Sequence, residues 1–167
     1  RVAGIDIVEA TGETVVLPST SAVLGMQFRG RVRAGDTMLT PAGITGLQST
    51  SRTYSYLADT ASVLVRFTPQ GASCLGIPVS ELAGRNVALD SILPPAIVTE
   101  SSEHLATAAT DAERVAVVEE LLARLPYVSD AVVARAIASL EGGAGVTVAK
   151  IARDLGLSER QLERRFL

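Results

Sequence analysis

The sequence predicts an α+β fold: a small antiparallel β domain of barrel or sandwich type over residues 1–93, a helical region over 94–146, and a closing helix-turn-helix over 147–167. Three observations carry that prediction. Short β-branched runs separated by Gly, Pro and Asp fill the first part, and strands recurring every eight to twelve residues or so mark small barrels and sandwiches. The second part changes to apolar residues three and four apart, the helical period. The last part sets two short helical patterns on either side of a glycine.

In the β part, Ile5 and Ile7, then Val15-Val16-Leu17, are runs parted by a turn signal at Thr11-Gly12. Residues 22–32 alternate most clearly. Ala22, Leu24, Met26, Phe28, Gly30 and Val32 share one face; Val23, Gly25, Gln27, Arg29 and Arg31 share the other. Turns at Ala34-Gly35-Asp36 and Thr40-Pro41-Ala42-Gly43 bracket Met38-Leu39 and lead to a strand from Ile44 to Leu47. A strand from Arg52 to Leu57 carries Tyr54 and Tyr56. A second, from Ser62 to Thr68, puts Val63, Val65 and Phe67 together and stops at Pro69-Gln70-Gly71. Pro78 opens a short helix over 79–83, closed by Gly84. Phe28, Tyr54, Tyr56 and Phe67 are four of only six Phe and Tyr residues in the chain. Their gathering in one small β region marks either a shared core, the ordinary outcome, or a ligand pocket.

Pro94-Pro95 marks the change to helix, with Pro95 suited to a first turn because its missing N–H costs nothing there. Thr110-Asp111-Ala112-Glu113 is a capping box. Val115, Val118, Leu121, Leu122 and Leu125 then form an apolar stripe that ends at Pro126. Ser129 is the expected cap of a helix with Val133, Ile137 and Leu140 inward, ended by Gly142-Gly143. These two helices are expected to pack together; the 110–125 face also suits a dimer partner.

Thr147 is the expected N-cap of the next helix, whose Val148, Ile151, Ala152 and Leu155 share a face. Gly156 stands where the chain needs positive φ to leave the helix. Ser158 opens the last helix, and Gln161 completes its capping box. At about 100° per residue, Leu162 and Phe166 stack on one side while Arg160, Glu163 and Arg164 lie opposite. Ala152 is small where the two helices must touch. Spacing alone fits an ordinary helical hairpin equally; residue identities separate the two.

With Ile151, Ala152, Leu155, Gly156, Ser158, Leu162, Arg164 and Phe166 in place, this stretch resembles the first helix-turn-helix of AraC/XylS-type transcription regulators. The Ala-x-x-x-Gly-x-Ser skeleton is shared with other helix-turn-helix families; the Ser-x-x-x-Leu-x-Arg-x-Phe ending is more particular to this one. Gly46-Leu47-Gln48, the run from Arg66 to Gly71, and Leu75-Gly76-Ile77-Pro78 through Glu81-Leu82 look like the N-terminal region of a subgroup of these regulators. The resemblance implies a bacterial-type regulator that reads double-stranded DNA through Arg160, Glu163 and Arg164, with Ser158 and Gln161 at the start of the same helix. Arg can take guanine bidentately and Glu can accept from cytosine. It also implies an N-terminal domain that senses an effector or forms a homodimer. The family carries two helix-turn-helix units, so a chain ending at Leu167 is expected to be a truncated regulator that binds DNA poorly alone, phosphate contacts carrying most of the affinity. The alternative is a ligand-binding or dimerisation module whose helical end makes only protein contacts.

Composition narrows the other classes. The single Cys74 allows no intrachain disulfide and reads as a small core residue; His104 reads as surface. One His and one Cys cannot assemble the common metal sets, no Gly-x-Ser-x-Gly elbow is present, and no phosphate-cradling glycine motif follows a strand. The expectation is a non-enzyme without cofactor or metal. No run approaches the roughly 20 apolar residues of a membrane span, so a cytoplasmic protein without membrane contact is expected. Net charge is −3 but uneven: residues 147–167 carry five Lys/Arg against three Asp/Glu, while the rest carries ten against fifteen. A basic end on an acidic body suits an anionic partner.

Overall fold

The computed structural model describes residues 3–125, 130–142 and 145–166. It is a mixed α/β structure, an antiparallel sheet of six strands with five helices. The strands are β1 (Ala3–Val16), β2 (Val23–Ala34), β3 (Thr37–Met38), β4 (Ala42–Thr45), β5 (Arg52–Phe67) and β6 (Asn86–Ala88). Their order is β1-β5-β2-β4-β6, with β3 paired to the second half of β2. The sheet is not closed. Among the described residues β1 and β6 remain its two edges, so no hydrogen-bonded barrel forms. As expected, the strands at 22–32 and 62–68 belong to one sheet; they prove to be direct neighbours in it, Leu24 facing Val65 and Met26 facing Val63.

Two expected breaks are bends within longer strands. Thr11-Gly12, read as a turn, is an irregularity inside β1, where pairing to β5 shifts between Ala10 and Gly12. The Tyr54 and Phe67 runs, read as separate strands, are the two halves of β5, and Ala58 between them adopts φ 56°. That conformation costs an L-residue roughly 1–2 kcal/mol. It is held by Thr60, only 1% exposed, whose single O–H is shared between the carbonyls of Leu57 (2.9 Å) and Arg31 (3.1 Å). Gly30 lies across from it at φ 68°, where a Cβ would stand 2.6 Å from the Thr60 Cα. The chain therefore needs glycine at 30 for space as well as for φ. Bulges bend a strand and can reverse which face its side chains take. On β2 they do so: Leu24, Met26 and Phe28 face the helices, but Val32 crosses to the opposite face and clusters with Ala34 and Tyr54. The single alternation expected over residues 22–32 is thus interrupted at Gly30.

The helices are α1 (Pro95–Thr107), α2 (Asp111–Ala123), α3 (Ala131–Glu141), α4 (Val148–Asp154) and α5 (Glu159–Phe166). Pro95 occupies the first turn of α1. The Thr110 capping box forms in both directions, Glu113 N–H donating to Thr110 Oγ1 at 3.2 Å and Thr110 N–H to Glu113 Oε2 at 3.1 Å. Val98 and Leu105 of α1 and Val118 and Leu121 of α2 pack on Leu24, Met26, Ile44, Val63, Val65 and Phe67, forming the main core. Cys74 is buried in it, and burial pushes its thiol pKa up. Phe28 lies at the edge of this core with the Arg114 guanidinium carbon 4.4 Å above its ring centre, a cation–π contact.

α3 does not pair with α2 as its stripe suggested. Its Ala136 joins Ile151, Ala152 and Leu162 of α4 and α5 in a second core, and Leu140, expected inward, is 50% exposed. The stripe is rotated because α3 meets the short helices that follow it, where small Ala136 allows close approach. Pro126, Ser129 and Gly143 lie outside the described residues; the cap of α3 is Asp130, whose carboxylate accepts from the N–H groups of Val132 (2.8 Å) and Val133 (3.2 Å). Among the described residues no helix is long and apolar enough to cross a membrane.

Candidate functional site

Two regions have the geometry of a site: the α4–α5 pair, and the concave face of the sheet that no described helix covers.

The α4–α5 pair is defined by its caps. Thr147 Oγ1 accepts from the Lys150 N–H at 3.2 Å. Val146, just ahead of this cap, packs against the second core to which Ile151 belongs, the arrangement of a hydrophobic staple. At the other end Gly156 takes φ 71°, the Leu157 N–H donates to Ala152 at 2.9 Å and the Gly156 N–H to Arg153 at 3.0 Å. That is a Schellman ending, which reverses the chain while satisfying the last carbonyls. The next helix starts at once: the Ser158 N–H donates to Gln161 Oε1 (2.8 Å) and the Gln161 N–H to Ser158 Oγ (3.2 Å). Ser158 and Gln161 are therefore occupied with each other, fixing where α5 begins.

Ile151, Ala152 and Leu162 are buried, and Leu155 is partly buried against them. Arg160, Glu163 and Arg164 are exposed together on the side of α5 away from Leu162. Two expected core residues are not buried. Phe166, the last residue of α5, is 42% exposed and does not join the second core. Val148 is 45% exposed in the first turn of α4, and Val146 fills the place expected for it.

Arg165 was not singled out by the sequence, yet it ties the pair to α3, its Nη1 donating to Asp130 Oδ2 at 2.7 Å. That bond, then the Val133 and Val132 N–H groups, hold the Asp130 carboxyl below its ordinary range. A carboxyl depressed in the folded state stabilises it fully above the unfolded value and loses that contribution only as pH falls through the folded one. Hydrogen exchange in α5 should thus be independent of pH across the neutral and mildly acidic range, once the intrinsic exchange rates are divided out. It should accelerate only below the usual aspartate range, and Asp130→Asn should abolish the pH dependence. An Asp130 carboxyl titrating at or above its ordinary value by NMR would overturn the assignment.

The second region is a cavity of about 490 Å³ on the sheet face opposite α1 and α2. Its wall is built from Asp6 and Val8 of β1, Val23, Gly25 and Gln27 of β2, Gly43 and Thr45 of β4, and Ser62, Leu64 and Arg66 of β5. Past the bend, Val16, Leu17, Val32, Leu39, Tyr54 and Tyr56 line its other end. The four aromatic residues considered together from the sequence divide two and two. Tyr54 and Tyr56 line the cavity. Phe28 and Phe67 belong to the helix-covered core, because odd residues of the second half of β5 point there and even ones point to the cavity. Burial, and then the neighbouring Tyr54, push the Tyr56 hydroxyl above its ordinary value, so it stays a neutral donor.

Sequence reasoning missed Asp6, Gly25, Gly43 and Arg66. The signal for Gly25 was present in the alternation of residues 22–32, whose small and polar face reads equally as a solvent face or as a cavity wall; Asp6, Gly43 and Arg66 join it only through strand pairing. Among the described residues no three His, Cys, Asp or Glu side chains converge on a metal position. No protein-family model matches the chain, and no curated protein matches it significantly.

Proposed function

We propose that the chain is part of an AraC/XylS-type transcription regulator, in which α4 and α5 form a helix-turn-helix that reads double-stranded DNA and the sheet domain holds an effector cavity. One observation carries the reading: Leu162 is buried, the Ser158–Gln161 box fixes the start of α5, and Arg160, Glu163 and Arg164 are left exposed on one face. Recognition helices present such residues near their N-termini to base edges in the major groove. The sequence pattern from Ile151 to Phe166 supports the same reading. On it the domain division is residues 1–93 for sensing, 94–146 for helical connection, and 147–167 for the first DNA-reading unit.

Three exposed apolar residues at the helical end, Leu140, Val148 and Phe166, favour a second reading in which this end makes protein contacts only. The two separate in one experiment. A duplex selected from random sequence by the protein expressed from its complete gene is titrated with wild type and with Arg160→Ala, against the selected and a scrambled sequence at matched salt. Arg160→Ala should cost about 1–3 kcal/mol on the selected duplex and far less on the scrambled one. Equal losses on both would reduce Arg160 to a phosphate contact. Failure to select any sequence would leave the protein-contact reading.

A further inference from the structure

We propose that the concave cavity binds a small zwitterion with an apolar body, an apolar α-amino acid being its simplest form, with Arg66 taking the carboxylate and Asp6 the ammonium group. The proposal rests on the reading of this cavity as an effector site and names the ligand class.

Among the described residues, Asp6 and Arg66 are the only charged side chains lining the cavity. Both are exposed, and neither has a hydrogen bond or ion pair with any described residue. In the β1–β5 register Asp6 faces Leu64, so Arg66, two residues on, is its diagonal neighbour on the same face. Diagonal neighbours stand about 7–8 Å apart at the backbone, close enough for one small molecule to bridge both side chains. Their joint presence decides the charge pattern of the ligand. A plain carboxylic acid attracted to Arg66 meets the Asp6 carboxylate; a plain amine attracted to Asp6 meets the guanidinium. At comparable distances each attraction is offset by a repulsion of similar size. Only a molecule carrying both signs gains from both residues. Arg66 offers a planar fork that matches a carboxylate with two parallel bonds.

The floor beside this pair is shaped for an apolar body. Gly25 and Gly43 face each other across the β2–β4 ladder; the place of a Cβ on Gly43 is taken up by Thr40 Oγ1, at 2.9 Å, and the Val87 carbonyl, at 3.0 Å, so the open part of the floor lies at Gly25. Glycine inside a strand weakens it and often marks the close approach of a ligand. At Gly25 the space is open: an added Cβ would meet only Leu64 Cδ2, at 3.5 Å. Leu64 and Val23 flank the floor, and the volume lies within the range of small-molecule sites, about 300–1,000 Å³.

The test is calorimetric titration of the chain with L-leucine and L-phenylalanine and, for each, the decarboxylated amine and the deaminated acid. At least one amino acid should bind, with both of its singly charged analogues at least tenfold weaker. Asp6→Asn and Arg66→Gln should each weaken that amino acid tenfold or more, and Gly25→Leu should abolish binding while the circular dichroism spectrum and melting curve stay those of a folded protein. Analogues as tight as the amino acid, full affinity in Asp6→Asn, or no heat from either amino acid at millimolar concentration would each overturn the proposal. The assay contains no DNA. A negative result therefore leaves the Arg160 titration standing, and loss of sequence-selective DNA binding with amino-acid binding intact would sink the regulator reading alone.

Discussion

Gly46→Ala is expected to destabilise the protein by more than about 3 kcal/mol, beyond the usual range for a one-carbon change. Gly46 follows β4 where the chain is drawn against the 3-10 turn over Val79–Leu82. Its N–H donates to the Arg85 carbonyl at 3.0 Å, and the Gly84 N–H donates back to Leu47 at 2.7 Å. Between those two bonds a Cβ on residue 46 would overlap the Leu82 carbonyl. The obstruction is backbone, and the Leu82 side chain is 1% exposed in the main core, so it has no room to retreat. The substitution must break the two hydrogen bonds or expel Leu82. Gly25→Ala is the control, because its Cβ meets nothing closer than ordinary contact; a strand alanine in place of glycine should be neutral or stabilise by about 0.5–1 kcal/mol. Urea unfolding of the two variants, compared by midpoint at equal slope, gives the answer. A Gly46→Ala midpoint within error of wild type would show that the close approach is not held in solution.

The same contrast explains what was legible in the sequence. Local chemistry was: the Thr110 and Ser158 capping boxes, the Thr147 cap and the left-handed Gly156 all lie within four residues of their partners, and all form as spacing required. The alternation of residues 22–28 was legible too, because one face is wholly apolar. Long-range geometry was not. Gly12 carries the mark of a turn, yet β5 pairs on both sides of it and makes one strand of two runs. Ala58 gives no sign of positive φ, since the bend is imposed by Gly30 and Thr60 packing from across the sheet. The face reversal beyond Gly30 follows from that bend, and with it the cavity. Leu140 and Phe166 fit their helical stripes, but a stripe states only which residues share a side, and α3 meets α4 and α5 through Ala136 and Val132, which leaves Leu140 exposed.

Phe67→Ala is the second large effect, at about 3–5 kcal/mol, and it separates the two faces of the sheet. From the sequence, Phe67 shared with Tyr54 and Tyr56 the choice between core and pocket. Parity along β5 decides: Val63, Val65 and Phe67 point to the helices, while Ser62, Leu64 and Arg66 point to the cavity. Phe67 is 1% exposed and among the largest fully buried side chains, and its N–H donates to Ala22 at 2.9 Å. Truncation removes the whole aromatic ring from a site walled by strands and by α1 and α2, which cannot collapse without shifting the sheet. Tyr56, half-buried at the cavity end, should behave oppositely, with Tyr56→Ala costing less stability and altering ligand affinity more. Both are read from urea unfolding and from amino-acid titration under conditions where each variant is folded. If Phe67→Ala loses less stability than Tyr56→Ala, or loses ligand affinity while remaining folded, the assignment of Phe67 to the helix-covered core is wrong.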